Sequence, residues 1–267
     1  MPFTPAHAVV ALPFVRTPLL PAAVAVGAMA PDLPLFLRGT PLTYQVTHTN
    51  LVVTVVLAFV LLAGWYLVLR PAVRELIPRV LAARLPREWD AGGLSVIRTV
   101  SAPRERAAHP IWGDAVRFPI LLVVSLLIGA LSHVVWDAFT HEGRWGVQLV
   151  PVLAAPWGPL SGYKWLQHGS SIVGVTALAI WGLIRLARSG GGGAVDRSLP
   201  NGVRWAWWLS LPVILAIAWF TGLAARGPFT EAFTPQHLGY LVLPPACAVW
   251  GVITIVLCVM VQVLRRR

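Results

Sequence analysis

Charged side chains are scarce in this sequence. Asp, Glu, Lys and Arg together form 12% of its 267 residues, whereas a soluble domain carries about 25%. Hydrophobic residues reach 57%, and the mean hydropathy is +0.73. These values exclude an ordinary soluble globular protein, and they predict an integral membrane protein with most of its chain in the bilayer.

Cysteine is nearly absent as well. The two cysteines, Cys247 and Cys258, both lie in the last apolar run, so the sequence offers no disulfide framework. A phosphate-binding loop, a dinucleotide fingerprint and zinc-finger spacing are also missing. Among polar residues, histidine and aspartate therefore remain as the candidates for chemistry.

Acidic residues are few: 10 stand against 21 basic residues, 20 of which are Arg, and the net charge is +11. A charge of this size also occurs in nucleic-acid-binding proteins. Here the basic residues lie in loops between apolar spans, where they orient a membrane protein. We therefore expect membrane lipids, and no nucleic acid, as partners.

Long apolar runs are abundant. Five of them approach or exceed the roughly 20 residues that cross a bilayer, at positions 50–69, 118–140, 169–188, 204–224 and 240–263. The predicted fold class is an all-α, polytopic helical membrane protein with about five transmembrane helices and a broken N-terminal hydrophobic segment. We expect residues 1–267 to form a single integral membrane domain.

The N-terminal segment, residues 1–48, contains two shorter apolar pieces, 8–15 and 19–30, cut by Pro13, Pro18 and Pro21. Neither piece spans a bilayer of about 30 Å comfortably. They are typical of re-entrant helices, interfacial helices or one broken span. Thr4 and Pro5 predict a helix start, with Thr4 as the N-cap.

The distribution of basic residues predicts the orientation. The Arg-rich loop 70–117, the segment around the Gly-rich linker 189–203 and the C-terminus hold sixteen basic residues, against three in the loops on the other side. By the positive-inside rule the Arg-rich loops and the C-terminus are expected to be cytoplasmic.

Three polar residues stand four apart at the end of the second span: His133, Asp137 and His141. On an α-helix each step of four residues turns about 40°, so the three side chains point from one stripe. Two imidazoles and a carboxylate on one face can bind a divalent metal. Inside a membrane they would be costly to bury without a partner.

The predicted orientation brings more polar residues to the same boundary. His48 begins the first span and His168 begins the third, both at the extracytoplasmic end. His7 and Asp32 join them if the N-terminal segment enters and returns on that side. If residues 17–37 cross the membrane instead, Asp32 still reaches the outer side but His7 does not.

The expected metal ligands are seven in number: His7, Asp32, His48, His133, Asp137, His141 and His168. This mixture of imidazole and carboxylate suits zinc first, with manganese or iron as alternatives. Asp32 and Asp137 are also candidate catalytic residues, since either carboxylate can act as a general base. The natural reaction is hydrolysis of a lipid or phosphoester at the membrane surface.

Simpler interpretations remain open. The stripe can serve as a polar seam that joins helices, and Asp32, between two prolines, can be an ordinary turn residue. A transporter or assembly factor with a structural or ion-binding cluster is the alternative function. In a third hypothesis the arginines of loop 70–117 bind anionic lipids, and this loop then matters more for function than the histidines.

Several segments carry a family resemblance: residues 1–7, 27–34, 47–49, 129–133 with Asp137, 140–141 and 167–171. Together they resemble the domain of unknown function 4184 family, over nearly the whole chain. Its members are bacterial multispanning membrane proteins without an established activity. The resemblance implies a location in the bacterial plasma membrane and adds little about function.

A more distant resemblance concerns the early His, the Pro-Asp segment, the Thr-His pair and the later Ser-His-x-x-x-Asp. This pattern is similar to the membrane-bound metal-dependent hydrolases, which in turn resemble the zinc-dependent phospholipase C superfamily. By that resemblance the matching ligand positions are His7, Asp32, His48, His133 and Asp137. The additional His and Glu ligands of the soluble phospholipases have no counterpart located here, which leaves a mononuclear or dinuclear site open.

Overall fold

A computed structural model describes residues 3–92, 114–190, 193, 195 and 197–265. Five helices within this part of the chain are long and apolar enough to cross a membrane, namely Leu51–Leu76, Arg117–Thr140, Gly162–Arg188, Asn201–Arg226 and Pro235–Leu264. The expected all-α, polytopic architecture is therefore confirmed.

The α-helices are numbered in chain order: α1 (Pro21–Met29), α2 (Leu33–Phe36), α3 (Tyr44–Thr49), α4 (Leu51–Gly64), α5 (Val73–Leu76), α6 (Arg79–Ala82), α7 (Asp114–Thr140), α8 (Trp145–Leu149), α9 (Gly162–Arg188), α10 (Asn201–Arg226) and α11 (Pro235–Leu264). Turns of 3₁₀ helix lie at Thr4–Arg16, Ala30–Asp32, Arg70–Ala72, Arg87–Asp90 and Pro151–Leu153, and a π-helical turn lies at Trp65–Leu69. A small antiparallel hairpin pairs β1 (Pro156–Trp157) with β2 (Leu160–Ser161).

Several boundaries differ from the sequence-based ones. The first span continues through the π-helical turn to Leu76, so the expected loop start at residue 70 is wrong. The third span begins at Gly162, seven residues before the expected 169, because the Gly- and Trp-rich hairpin ends directly in the helix. Residues 93–113 of the expected Arg-rich loop lie outside the described residues.

The described chain forms two compact units. Unit 1 comprises Met1–Leu33, Thr43–Ala63 and Ala102–Arg188, and unit 2 comprises Pro34–Leu42, Gly64–Ser101 and Ser189–Arg267. All of the expected site residues belong to unit 1. The expectation of a single integral membrane domain stays a prediction.

A buried carboxylate organises part of unit 2. Glu75 is fully buried and accepts hydrogen bonds from the backbone N–H groups of Ser198 and Leu199, at 3.0 and 3.1 Å. The guanidinium groups of Arg204 and Arg265 reach the same carboxylate at 3.0 and 3.4 Å. A buried charge is tolerated when it is paired and hydrogen-bonded in this way, and these bonds fix the end of the Gly-rich linker at the start of α10.

Unit 1 depends on a very close approach between α1 and α7. A Cβ atom on Gly129 of α7 would lie 2.2 Å from the carbonyl oxygen of Val24, and one on Gly27 of α1 would lie 2.4 Å from that of Leu126. Small residues allow this backbone approach between membrane helices. The contact positions the C-terminal end of α1, and therefore the turn that carries Asp32, beside α7.

The N-terminal segment is broken, as expected. Its 3₁₀ helix Thr4–Arg16 would extend about 26 Å at 2.0 Å per residue, which is short of the 30 Å hydrocarbon core. This helix packs on α1 and on α9, where a Cβ atom on Gly174 would lie 2.9 Å from the carbonyl oxygen of Ala6. The packing brings His7 into the same unit as α7.

We predict that Gly129→Ala destabilises unit 1. The added methyl group collides with the backbone of α1, which cannot yield as a flexible side chain would, so the loss should match or exceed the roughly 1–3 kcal/mol typical of overpacking. Thermal unfolding of the detergent-solubilised protein, followed by tryptophan fluorescence, measures the effect. Gly182→Ala in α9 is the matched control, because its Cβ atom meets nothing within 4 Å. Equal melting temperatures for the two variants would contradict the close packing.

Candidate metal centre

Four separate segments of unit 1 bring five polar side chains together. The 3₁₀ helix Thr4–Arg16 carries His7, the turn after α1 carries Asp32, α3 carries His48, and α7 carries both His133 and Asp137. His133 and Asp32 are 0% exposed, Asp137 is 2% exposed and His7 is 8% exposed; the His48 side chain is 5% exposed. The cluster is thus enclosed in protein.

Asp137 stands at the centre of this cluster. Its Oδ2 atom lies 3.4 Å from Nε2 of His133 and 3.5 Å from Nε2 of His48, and its Oδ1 atom lies 3.8 Å from Nε2 of His7. Nε2 of His133 also lies 3.7 Å from Oδ1 of Asp32. These separations exceed the usual 2.7–3.2 Å of hydrogen bonds to nitrogen.

The facing atoms have no hydrogen-bond partner. Nε2 of His7, His48 and His133, and Oδ1 of Asp32 and Asp137, are all buried and unpaired. Buried polar atoms are nearly always paired in folded proteins. Five such atoms directed at one another form a group that could hold a metal ion.

The opposite ring nitrogens of two histidines are fixed by backbone carbonyls. Nδ1 of His133 lies 2.7 Å from the carbonyl oxygen of Ala28, and Nδ1 of His48 lies 2.9 Å from that of Tyr44. A carbonyl only accepts, so each Nδ1 carries a proton and Nε2 is the ring nitrogen that faces the cluster. Metal-binding histidines are typically oriented in this way.

Each carboxylate accepts a hydrogen bond from a hydroxyl group. Thr4 donates to Oδ2 of Asp32 at 2.6 Å, and the Tyr44 phenol donates to Oδ2 of Asp137 at 2.8 Å. The hydroxyl of Thr47, beside His48, donates to the carbonyl oxygen of Pro31 at 2.7 Å and so ties α3 to the turn that carries Asp32. These bonds orient the carboxylates while Oδ1 of each stays unpaired.

The electrostatic surroundings keep the flanking groups in the required protonation states. Burial, together with the neighbouring histidines, lowers the pKa of His7 to about 3, so its imidazole is neutral at physiological pH. Burial and the Asp137 carboxylate raise the pKa of Tyr44 well above its usual range. The phenol therefore remains a hydrogen-bond donor.

Two of the seven expected ligands stand apart from these five. Nδ1 of His141 lies 3.6 Å from Oδ2 of Asp137, but the other nitrogen, Nε2, lies 3.3 Å from Nε2 of Gln167. The ring thus has a neighbour on each side, and the side chain is 19% exposed. His168 is exposed on α9, and the neighbouring residue Gln167 is the one that approaches His141.

Sequence reasoning missed the residues that support the cluster. Thr4 is not the N-cap, since the 3₁₀ helix already includes it and its hydroxyl binds Asp32. Tyr44 had a detectable signal, because it precedes His48 by four residues, one helical turn; their rings stack with centroids 3.5 Å apart. Gln167 and the carbonyl of Ala28 gave no comparable signal.

The residues present fit a divalent metal ion. One ligand atom each from His7, His133 and Asp137 lies within 4.8 Å of the others. Ligand atoms about 2.1 Å from a tetrahedral metal are about 3.4 Å apart, close to the shorter separations in the cluster. The unpaired Nε2 and Oδ1 atoms supply the lone pairs that such an ion requires.

Comparison with known proteins bears on the family alone. A family model described as "Domain of unknown function (DUF4184)" matches residues 1–264, which confirms the expected family resemblance. Neither a curated protein nor a solved structure matches the chain. The more distant resemblance to metal-dependent hydrolases stays a prediction.

We predict that Tyr44→Phe weakens zinc binding about 10- to 100-fold, as loss of a hydrogen bond to a metal ligand usually does. The variant keeps the aromatic ring but releases Oδ2 of Asp137. Titration of the metal-free, detergent-solubilised protein against a competing chelating dye measures the change. Tyr163→Phe is the matched control, because that phenol donates to Glu142 outside the cluster. Unchanged affinity in Tyr44→Phe would contradict a role in orienting Asp137.

Proposed function

We propose a hydrolytic function for this protein, which belongs to the domain of unknown function 4184 family. In this proposal it is a membrane-embedded, metal-dependent hydrolase that acts on a lipid or phosphoester at the extracytoplasmic face of the membrane. Its five apolar helices indicate an integral membrane protein. The excess of arginine in the loops on the opposite side supports the orientation.

The observation that carries the proposal is the group of five buried, unpaired atoms contributed by His7, Asp32, His48, His133 and Asp137. Leaving a buried polar atom without a partner costs about 1–3 kcal/mol. A single divalent cation bound among the lone pairs removes much of this cost at once. A polar seam between helices would instead pair these atoms with one another through hydrogen bonds of ordinary length.

The donor set supports zinc first and manganese or iron second. Neutral imidazoles together with carboxylates form typical sites for these metals. His7, His133 and Asp137 are the central ligands of the proposed site, since their ligand atoms lie closest together as a group. His48 approaches the same Asp137 oxygen as His133 does, and it is the proposed fourth ligand.

The two carboxylates have different surroundings, which supports different roles. Asp137 lies near the Nε2 atoms of three histidines, as expected of a ligand. Asp32 has a histidine contact only with His133 among the described residues, at 3.7 Å. Its Oδ1 atom remains free to accept a proton, so Asp32 is the proposed general base.

The chemistry follows from these roles. A divalent metal with an open coordination position supplies hydroxide near neutral pH. Around it, the histidines fix the ligand geometry, Tyr44 holds Asp137 in place, and Thr4 holds Asp32 with one oxygen directed at the cluster. The enclosing protein limits access by bulk water, which strengthens the electrostatic interactions of the site.

The alternative is a non-enzymatic membrane protein, a transporter or an assembly factor, whose cluster binds an ion. The nearly complete burial of the five side chains favours this alternative, because a catalytic site needs an opening for substrate. Both hypotheses share the metal, and they differ in whether hydrolysis is observed.

We predict stoichiometric zinc, manganese or iron in the protein purified in detergent without chelators. The double variant His133→Ala, Asp137→Ala should lose the metal, because it removes two of the ligands and leaves the rest too few for tight binding. Elemental mass spectrometry measures the content. His168→Ala is the matched control and should retain the metal, since His168 is exposed. Absence of metal in the parent, even after metals are supplied, would contradict the proposal.

Asp32→Asn separates hydrolysis from metal binding. The isosteric amide keeps the hydrogen-bond acceptor for Thr4 but removes the base, so the variant should retain its metal and lose hydrolysis about 10²- to 10⁴-fold. Phospholipids and soluble phosphoesters are the substrates to screen. Hydrolysis absent from a metal-loaded parent would favour the ion-binding alternative, and full activity in Asp32→Asn would remove Asp32 from the catalytic role.

A further inference from the structure

A groove lies directly beside the proposed metal centre, within unit 1. Its volume is about 340 Å³, which falls within the range of small-molecule sites, about 300–1,000 Å³. The walls are mainly apolar and come from the 3₁₀ helix Thr4–Arg16, from α7 and from α9: Ala6, Val9, Val10, Trp136, Val173 and Gly174. His7 is also part of the wall.

The two hydroxyl groups in the groove are already engaged. Ser132 donates to the carbonyl oxygen of Gly129 at 2.7 Å. Ser170 donates to the carbonyl oxygen of Gln167 at 3.2 Å and accepts from the Trp136 indole at 3.1 Å. His7 is shared by the groove and the cluster, because the residue lines the groove while its Nε2 atom faces Oδ1 of Asp137 at 3.8 Å. An occupant therefore meets apolar walls along its length and lies next to one candidate metal ligand.

The surroundings of the groove are apolar too. Val173 belongs to the candidate span Gly162–Arg188 and is 67% exposed, and Trp136 belongs to the candidate span Arg117–Thr140 and is 39% exposed. In a membrane such exposed apolar side chains contact lipid chains rather than water. The groove is thus open to molecules that are already dissolved in the bilayer.

We propose that this groove binds the acyl chain of a phospholipid, and that the bound chain places the ester groups of the same lipid beside His7. This inference rests on the proposed function and narrows its substrate class, because a soluble phosphoester has no use for an apolar groove. Because the chain leaves bilayer lipid and not water, the affinity comes from its packing against the groove walls and from the headgroup.

The test uses two exposed neighbours on α9. Val173 lines the groove, whereas Ile172, 69% exposed, points about 100° away around the helix and is not part of the lining. Val173→Trp fills the groove with an indole, and Ile172→Trp adds the same group to the outer surface. Neither changes a residue of the proposed metal site, so both variants should retain the metal content of the parent.

The probe is a phosphatidylcholine with a photoactivatable diazirine at the end of one acyl chain, added in trace amount to the protein in detergent micelles. After irradiation and trypsin digestion, mass spectrometry gives the labelling of the peptide that ends at Arg16, which contains Val9 and Val10. We expect Val173→Trp to lower this labelling about tenfold, because a filled cavity leaves no space for the chain. Labelling in Ile172→Trp should equal that of the parent.

Equal labelling in Val173→Trp and the parent, or an equal loss in both variants, would overturn the inference, since either result assigns the label to general contact with the micelle. The readout needs no turnover, so it separates the two proposals. Groove-dependent labelling in a protein without metal or hydrolysis would reject the proposed function but keep the lipid site. Metal-dependent hydrolysis with groove-independent labelling would reject the lipid site but keep the proposed function.

Discussion

Removing an imidazole or a carboxylate from water is costly unless each of its polar atoms acquires a partner. In unit 1 this cost falls on five side chains at once, and the surrounding structure provides hydrogen-bond partners for only some of their polar atoms. The carbonyl oxygens of Ala28 and Tyr44 hold Nδ1 of two histidines, and hydroxyl groups hold one oxygen of each carboxylate. Five other atoms are left without a partner and face one another, and a buried group of this kind could hold a metal ion.

This requirement explains the packing of the N-terminal half. The glycine contacts between α1 and α7 set the distance at which the Ala28 carbonyl meets His133 and the following turn presents Asp32. Gly174 of α9 likewise allows the close approach of the 3₁₀ helix that carries His7. Main-chain atoms, which move less than side chains, therefore define the positions of the candidate ligands. The apolar groove lies along these same three elements.

The sequence predicted the parts of the site that depend on local periodicity. His133 and Asp137, one helical turn apart, do face the same way. His141 is two turns from His133 and has rotated by about 80° around the helix, which brings its Nε2 to Gln167. His168 lies inside α9 and not, as the sequence predicts, at its start, because the hairpin that precedes α9 is not revealed by any apolar pattern; its role as a ligand stays a prediction. The sequence could not predict whether His7 and Asp32 lie on the same side of the membrane, because this depends on tertiary packing. The structure brings both residues to one cluster.

The order in which the chain is made has a consequence for the cluster. The backbone N–H of Phe3 donates to the hydroxyl of Ser171, 168 residues later, so this segment docks on a helix that is synthesised much later. Until α9 has been synthesised, the 3₁₀ helix lacks one of the helices on which it packs, and His7 is not held beside the other residues of the cluster. The cluster of five side chains is therefore completed late in biogenesis, after the residues on α7 are already in the chain.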